Sequence, residues 1–147
     1  MNNIEYIELK LNFELDKPSH NGRIYDIDDI ISKMRHRIAN KLLFIQLEDN
    51  NKYLEFNDPV EYNKYVSMVH LKECIGIVEN LYNRGSSLIF YTRLLTFKKE
   101  ITKNFIESGD FSVTLCGQGI IKNNIVYDYN LIKLILINNQ NLKEIIC

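Results

Sequence analysis

Ile4, Tyr6, Leu9, Leu11, Phe13 and Leu15 stand against Glu5, Glu8, Lys10, Asn12 and Glu14. This near-alternation predicts a half-buried strand over residues 4–15. Asp16-Lys17-Pro18-Ser19-His20-Asn21-Gly22 is dense in turn formers and predicts a loop. The period then changes: Ile27, Ile30, Ile31, Met34 and Ile38 recur at spacings of three and four. That is one face of a helix at about 27–39, capped by Asp26 or Asp28 and ending near Asn40. A second helix is predicted at about 98–108 from Ile101, Phe105 and Ile106, with Gly109 placed to stop it.

The remaining apolar runs read as strands. Residues 42–47 form one, with Glu48-Asp49-Asn50-Asn51 as a hairpin turn and 53–56 as the returning strand. Residues 71–82 and 87–95 form a hairpin around Asn83-Arg84-Gly85-Ser86. Residues 111–115, 119–122 and 129–138 complete the set, with a turn at Asn123-Asn124 and a bend or bulge at Gly117-Gln118-Gly119. About eight strands and two helices predict an α+β fold, a small antiparallel β-barrel or sheet. With 147 residues and no linker, repeat or low-complexity tract, residues 1–147 are expected to form a single domain.

Composition narrows the function classes. Eighteen basic residues against nineteen acidic ones give a net charge of −1, so no global field favours nucleic acid or an anionic membrane. The densest basic segment, Lys33-Met34-Arg35-His36-Arg37 with Lys41, reads as a solvated helix face, with a phosphate-binding patch as the alternative. Cys74, Cys116 and Cys147 have no metal spacing and read as reduced thiols. No secretory leader and no apolar run of membrane-spanning length is visible, and nothing calls for a cofactor or a metal. Asp26, Asp28 and Asp29, which could suggest metal ligands, are explained by helix capping.

Six collinear segments, spanning about residues 17–139, resemble the T4-like prohead maturation proteases of tailed bacteriophages. Pro18-Ser19-His20-Asn21-Gly22-Arg23-Ile24-Tyr25 is similar to their Pro-x-x-Asn-Gly-Arg-[Ile/Val]-Tyr. Tyr53-Leu54-Glu55-Phe56-Asn57-Asp58-Pro59 is similar to the strand that carries the family's catalytic histidine, with Asp58 in its place. Residues 73–95 resemble the family hairpin, and residues 101–109 its Leu-Ile-Glu-Ser-Gly helix. Ser112-Val113-Thr114-Leu115-Cys116-Gly117-Gln118-Gly119 keeps the glycines of the nucleophile strand but not its Ser-Ser-Arg core. In the last strands, residues 126–137, Ile135 stands where the family has an acidic residue.

The resemblance implies a prohead-protease-like fold whose catalytic positions, Asp58, Thr114, Leu115, Cys116 and Ile135, are degenerate. A carboxylate of pKa near ~4 is a poor base for a hydroxyl nucleophile at neutral pH. The expectation is therefore a pseudo-protease acting as a non-catalytic virion structural protein. Its implied partners are phage capsid, portal or neck proteins and further copies of itself in a symmetric assembly, with no preference for nucleic acid and no membrane. It would be made in the host bacterial cytoplasm and reside in the virion. Binding is expected at Asn21, Gly22 and Arg23 and at Asp58, Tyr62 and Tyr65, in loops carried by a rigid sheet. The alternative is an active maturation protease with displaced residues, Cys116 or Thr114 with His70 as base. A host regulatory or nucleic-acid module is the third reading.

Overall fold

The computed structural model describes residues 4–19, 21–48, 64 and 68–142. In chain order the elements are β1 (Tyr6–Lys10), β2 (Ile24–Tyr25), α1 (Ile27–Ala39), β3 (Phe44–Glu48), β4 (Cys74–Arg84) and β5 (Ser87–Leu94). There follow α2 (Lys99–Glu107), β6 (Phe111–Lys122), β7 (Ile125–Asn138) and a one-turn α3 (Asn139–Leu142). The returning strand at 53–56, its turn beyond Glu48, His20, Asp58, Tyr62, Tyr65 and Cys147 lie outside the described residues. So does the expected pairing of residues 54–58 with 111–116.

Both helices start and stop where the residue chemistry places them. Asp26 is the N-cap of α1, its Oδ1 accepting the Asp29 N–H at 2.9 Å, while Asp28 and Asp29 set negative charge in the first turn. Ile30 and Met34 turn inward, and α1 packs against β4 and β7. α2 ends before Gly109, whose φ of +75° is the left-handed conformation that closes a helix.

The sheet runs β1-β5-β4-β3-β7, with β6 along the other edge of β7 and the short β2 also paired to β7. Two pairings are parallel, β3 with β7 and β2 with β7, so the sheet is mixed where an antiparallel one was expected. The reason is α1: it carries the chain from β2 back to β3, so that both strands run in the direction of β7. A parallel bridge between Leu11 and Val113, with the Asn12 N–H donating to Val113 O at 2.9 Å, brings the end of β1 against β6. The sheet thus curls until its two ends touch, around a core that includes Leu9, Leu11, Ile45, Phe90, Leu115 and Leu134.

Residues 111–122 are one strand, not two. Its register slips at Cys116/Gly117 and at Gln118/Ile120, which is the bulge that the two glycines predict. Gly117 is required by close approach: a Cβ there would lie 2.1 Å from Asn130 O and 2.8 Å from the Tyr129 ring. Tyr129 in turn meets Tyr25 edge to face, with centroids 5.1 Å apart. The tip, Asn123-Asn124, has φ of 53° and 66°, the paired left-handed conformation of a tight hairpin turn. Residues 71–73, expected as strand, form a 3₁₀ turn leading into β4.

Candidate functional site

Strand alternation and register fix which residues share a face of the β4-β3-β7-β6 region. Thr114 lies opposite Ile135, Cys116 opposite Lys133, and Ser112 opposite Ile137. Across β7, Ile135 is beside Gln46 and Ile137 beside Glu48, and Gln46 lies opposite Cys74. One face therefore carries Thr114, Cys116, Lys133, Ile135, Gln46, Glu48 and Cys74, because side chains two apart on a strand project to the same side. Leu115, Leu134 and Leu136 project to the other side and belong to the main core.

The sequence-predicted degenerate positions are thereby separated by direction. Thr114, Cys116 and Ile135 come together on one surface, whereas Leu115 is withdrawn into the core. Thr114, Cys116 and Ile135 are each 1% exposed. The cross-strand neighbour of Thr114 is the aliphatic Ile135, which offers its hydroxyl no acceptor.

A cluster absent from the sequence expectations occupies the same face. Lys133, 1% exposed, directs its ammonium to Gln46 Oε1 at 3.0 Å and to the Met68 carbonyl at 2.8 Å. The Gln46 Oε1 also accepts the His70 N–H at 2.9 Å, and its Nε2 donates to Glu48 Oε1 at 2.5 Å. Burial raises the Glu48 carboxyl above its ordinary range, partly opposed by the Lys133 charge, the Gln46 hydrogen bond and the His70 imidazole. Burial likewise pushes the Cys74 thiol up, which keeps it protonated and unreactive.

The arrangement fastens the segment at residues 68–70 to the sheet: one main-chain carbonyl and one main-chain N–H of that segment end on buried Lys133 and Gln46. His70 meets the cluster through this main-chain contact and through the charge interaction of its imidazole with Glu48. A signal for the cluster was present in the sequence. Lys133 interrupts the apolar run Leu131–Ile137. Such a run marks a strand buried on both faces, where a charge must find partners.

The expected binding loop lies elsewhere. Asn21, Gly22 and Arg23 form a tight turn closed by Ser19 N–H to Arg23 O at 2.8 Å and Gly22 N–H to Ser19 O at 2.9 Å. Ser19 Oγ donates to Asn21 Oδ1 at 2.7 Å, and Gly22 has φ +82°. The turn leads into β2, which pairs with residues 125 and 126 of β7. Lys133 is eight or so residues further along that strand, on the order of 25 Å of extended chain. The loop and the buried cluster are separate surfaces. Among the described residues no three His, Cys, Asp or Glu side chains group to hold a metal ion, and no helix is long and apolar enough to cross a membrane.

No protein-family model matches the chain, and no curated protein matches it. Among solved structures, the capsid assembly protease of bacteriophage T4 is similar in fold, with a TM-score of 0.58 at 16% sequence identity. The match covers 90% of this chain and 80% of that one. The likeness is one of fold, and it supports the prohead-protease-like α+β fold expected from the sequence.

Proposed function

We propose that this protein is a non-catalytic participant in phage head assembly, a protease-like fold that works through protein contacts. The likeness to the T4 capsid assembly protease supplies the setting. The observation that carries the loss of chemistry is the burial of Thr114 and Cys116 beside Ile135, on a face whose Lys133 and Gln46 hold the protein's own residues 68–70. A nucleophile must reach a peptide carbonyl with a base at hydrogen-bond distance and donors for the oxyanion. Thr114 is 1% exposed, and its cross-strand neighbour Ile135 offers no acceptor. Losing members of a catalytic triad removes a factor of ~10⁴ or more in rate.

The partners in this reading are capsid, portal or neck proteins and symmetric copies of this chain, met in the host cytoplasm and retained in the virion. The Asn21-Gly22-Arg23 turn, with Asn21 and Gly22 exposed, is one candidate contact; the segment from Asp58 through Tyr62 to Tyr65 is the other. Mass spectrometry of purified particles should find the protein there in multiple copies. Its absence from mature particles would overturn the permanent structural role.

One observation favours the alternative of an active protease. Cys116 is a buried free thiol directly across the strand pair from Lys133, so a cationic residue is its cross-strand neighbour. Incubating the purified protein alone and with capsid and scaffold proteins separates the readings. Intact products are expected; cleavage that disappears in Cys116→Ala or His70→Ala would establish the displaced-thiol enzyme.

A further inference from the structure

A cleft of about 480 Å³ opens between the C-terminal half of α1 and β7, lined by Lys33, His36, Arg37, Asn40, Leu42 and Leu131, with Ser32 and Asn130 at its margin. Among the described residues, none of those that line it is acidic. Lys33 is held at the wall by Asp29 at 3.1 Å and by the Tyr129 carbonyl. Neither the His36 nor the Arg37 side chain makes a hydrogen bond or ion pair among the described residues. Arg37 is half-buried and lines the cleft, so its guanidinium is available to a carboxylate entering there.

Basic residues in a last helical turn often do no more than complement the helix dipole. Here the terminal carbonyls are already satisfied by the chain. His36 O accepts from Asn40 N and Nδ2 at 3.2 and 2.8 Å, Arg37 O from Leu42 N at 2.8 Å, and Ile38 O from Lys41 N at 3.0 Å. Arg37 is not needed to cap them. The dipole disfavours an anion at this end only weakly, and the planar fork of Arg37 offsets it by offering a carboxylate two parallel N–H donors.

We infer that this cleft binds a carboxylate side chain of an acidic peptide segment, with an apolar neighbour of that residue seated on Leu42 and Leu131. The cleft volume falls in the range of small-ligand pockets. Leu42 is 50% exposed, an apolar surface beside the charge. The Asn40 side chain spends its amide nitrogen on His36 O and leaves its Oδ1 to accept a peptide N–H. A peptide is favoured over a nucleic-acid backbone because the chain's net charge is −1 and, of the Lys33 and Arg37 cations, Lys33 is already paired. The inference is independent of any role in head assembly.

The test is an NMR titration of the full chain with three probes: a blocked Gly-Asp-Leu-Gly peptide, its Asn counterpart and inorganic phosphate. The Asp peptide should give saturable shifts at the amides of Arg37, Asn40, Leu42 and Leu131, and the Asn peptide should not. Arg37→Gln, with an otherwise unchanged spectrum, should weaken the Asp peptide about tenfold or more. Leu42→Ser should weaken the peptide and leave phosphate unaffected. Absence of saturable shifts, equal responses to the Asp and Asn peptides, or phosphate binding as tightly as the peptide would each overturn the assignment.

Discussion

The two faces of the β3-β7-β6 region are equally dry and opposite in chemistry. On one, Ile45, Leu47, Leu115, Leu134 and Leu136 pack as a purely aliphatic layer. On the other, Thr114, Cys116, Gln46, Glu48 and Lys133 are buried to 7% exposure or less while keeping polar groups. The aliphatic face tolerates imperfect matching, since its contacts are many, weak and non-directional. The polar face is stabilised only while every donor and acceptor stays paired, and removal of one partner exposes the full desolvation cost of the rest. A buried lysine on a protease-like fold is easily mistaken for a catalytic base, but its protons here are directed to the Gln46 amide oxygen and the Met68 carbonyl. Its evident work is to hold a neighbouring segment.

Breaking the polar face should cost most. Lys133→Met leaves the Glu48 carboxyl buried without its cation and the Met68 carbonyl without its donor, so a loss of about 3–5 kcal/mol in urea unfolding is expected. The double variant Lys133→Met with Glu48→Gln should recover a measurable part of that. Additivity of the two changes would show that they do not form one cluster.

On the aliphatic face, Leu115→Ala should cost about 2–5 kcal/mol through lost transfer energy and the cavity left behind. It should leave the pH dependence of stability untouched, since no titratable group is disturbed. If Leu115→Ala instead shifted that dependence, the two faces would not be separable.

The third prediction concerns pH. Glu48 is harder to ionise in the folded chain than its ordinary value of 4.5, so the native state holds an extra proton in the window just above that value. Stability contributed by this group therefore falls as pH rises from about 4.5 through the raised native value, and is level beyond it. Exposed pairs such as Glu8 with Tyr82 and Arg84 act the other way and in a lower window, because their native carboxyls ionise more readily than free ones. Glu48→Gln should flatten the upper window alone; an unchanged slope in thermal unfolding between pH 4.5 and neutrality would contradict the assignment.

The smallest effect is expected at Cys116→Ser, a near-isosteric change opposite Lys133. A loss of about 1–3 kcal/mol is expected from the more polar hydroxyl in a buried position, with no effect on particle assembly. A large assembly defect without a stability change would show that the thiol has a role of its own.

Much of the fold could be read before any coordinates. The helix at 27–39 and the stop at Gly109 follow from local rules, spacing of apolar residues and capping chemistry, and the structure has them where those rules put them. The Gly117-Gln118-Gly119 bulge was legible for the same reason, since small residues in a strand mark a slip or a close approach. The parallel pairings of β7 were not legible, because pairing direction depends on where α1 returns the chain and not on any residue within the strands.

What the sequence alone determined is therefore the two longer helices, the hairpin joining β4 to β5 and the bulge in β6. Tertiary structure alone decided which side chains share the polar face of β3, β7 and β6. Thr114, Ile135 and Gln46 are separated by tens of residues in the chain and become neighbours only through the register of three strands. Lys133 reads in sequence as one charge in an apolar run, and becomes a clasp only when β3 and residues 68–70 bring their oxygens within 3.0 Å. The physical reason is range: capping, turns and periodicity act over a few residues and are written locally, whereas partners for a buried charge are supplied by whichever distant strands the sheet sets beside it.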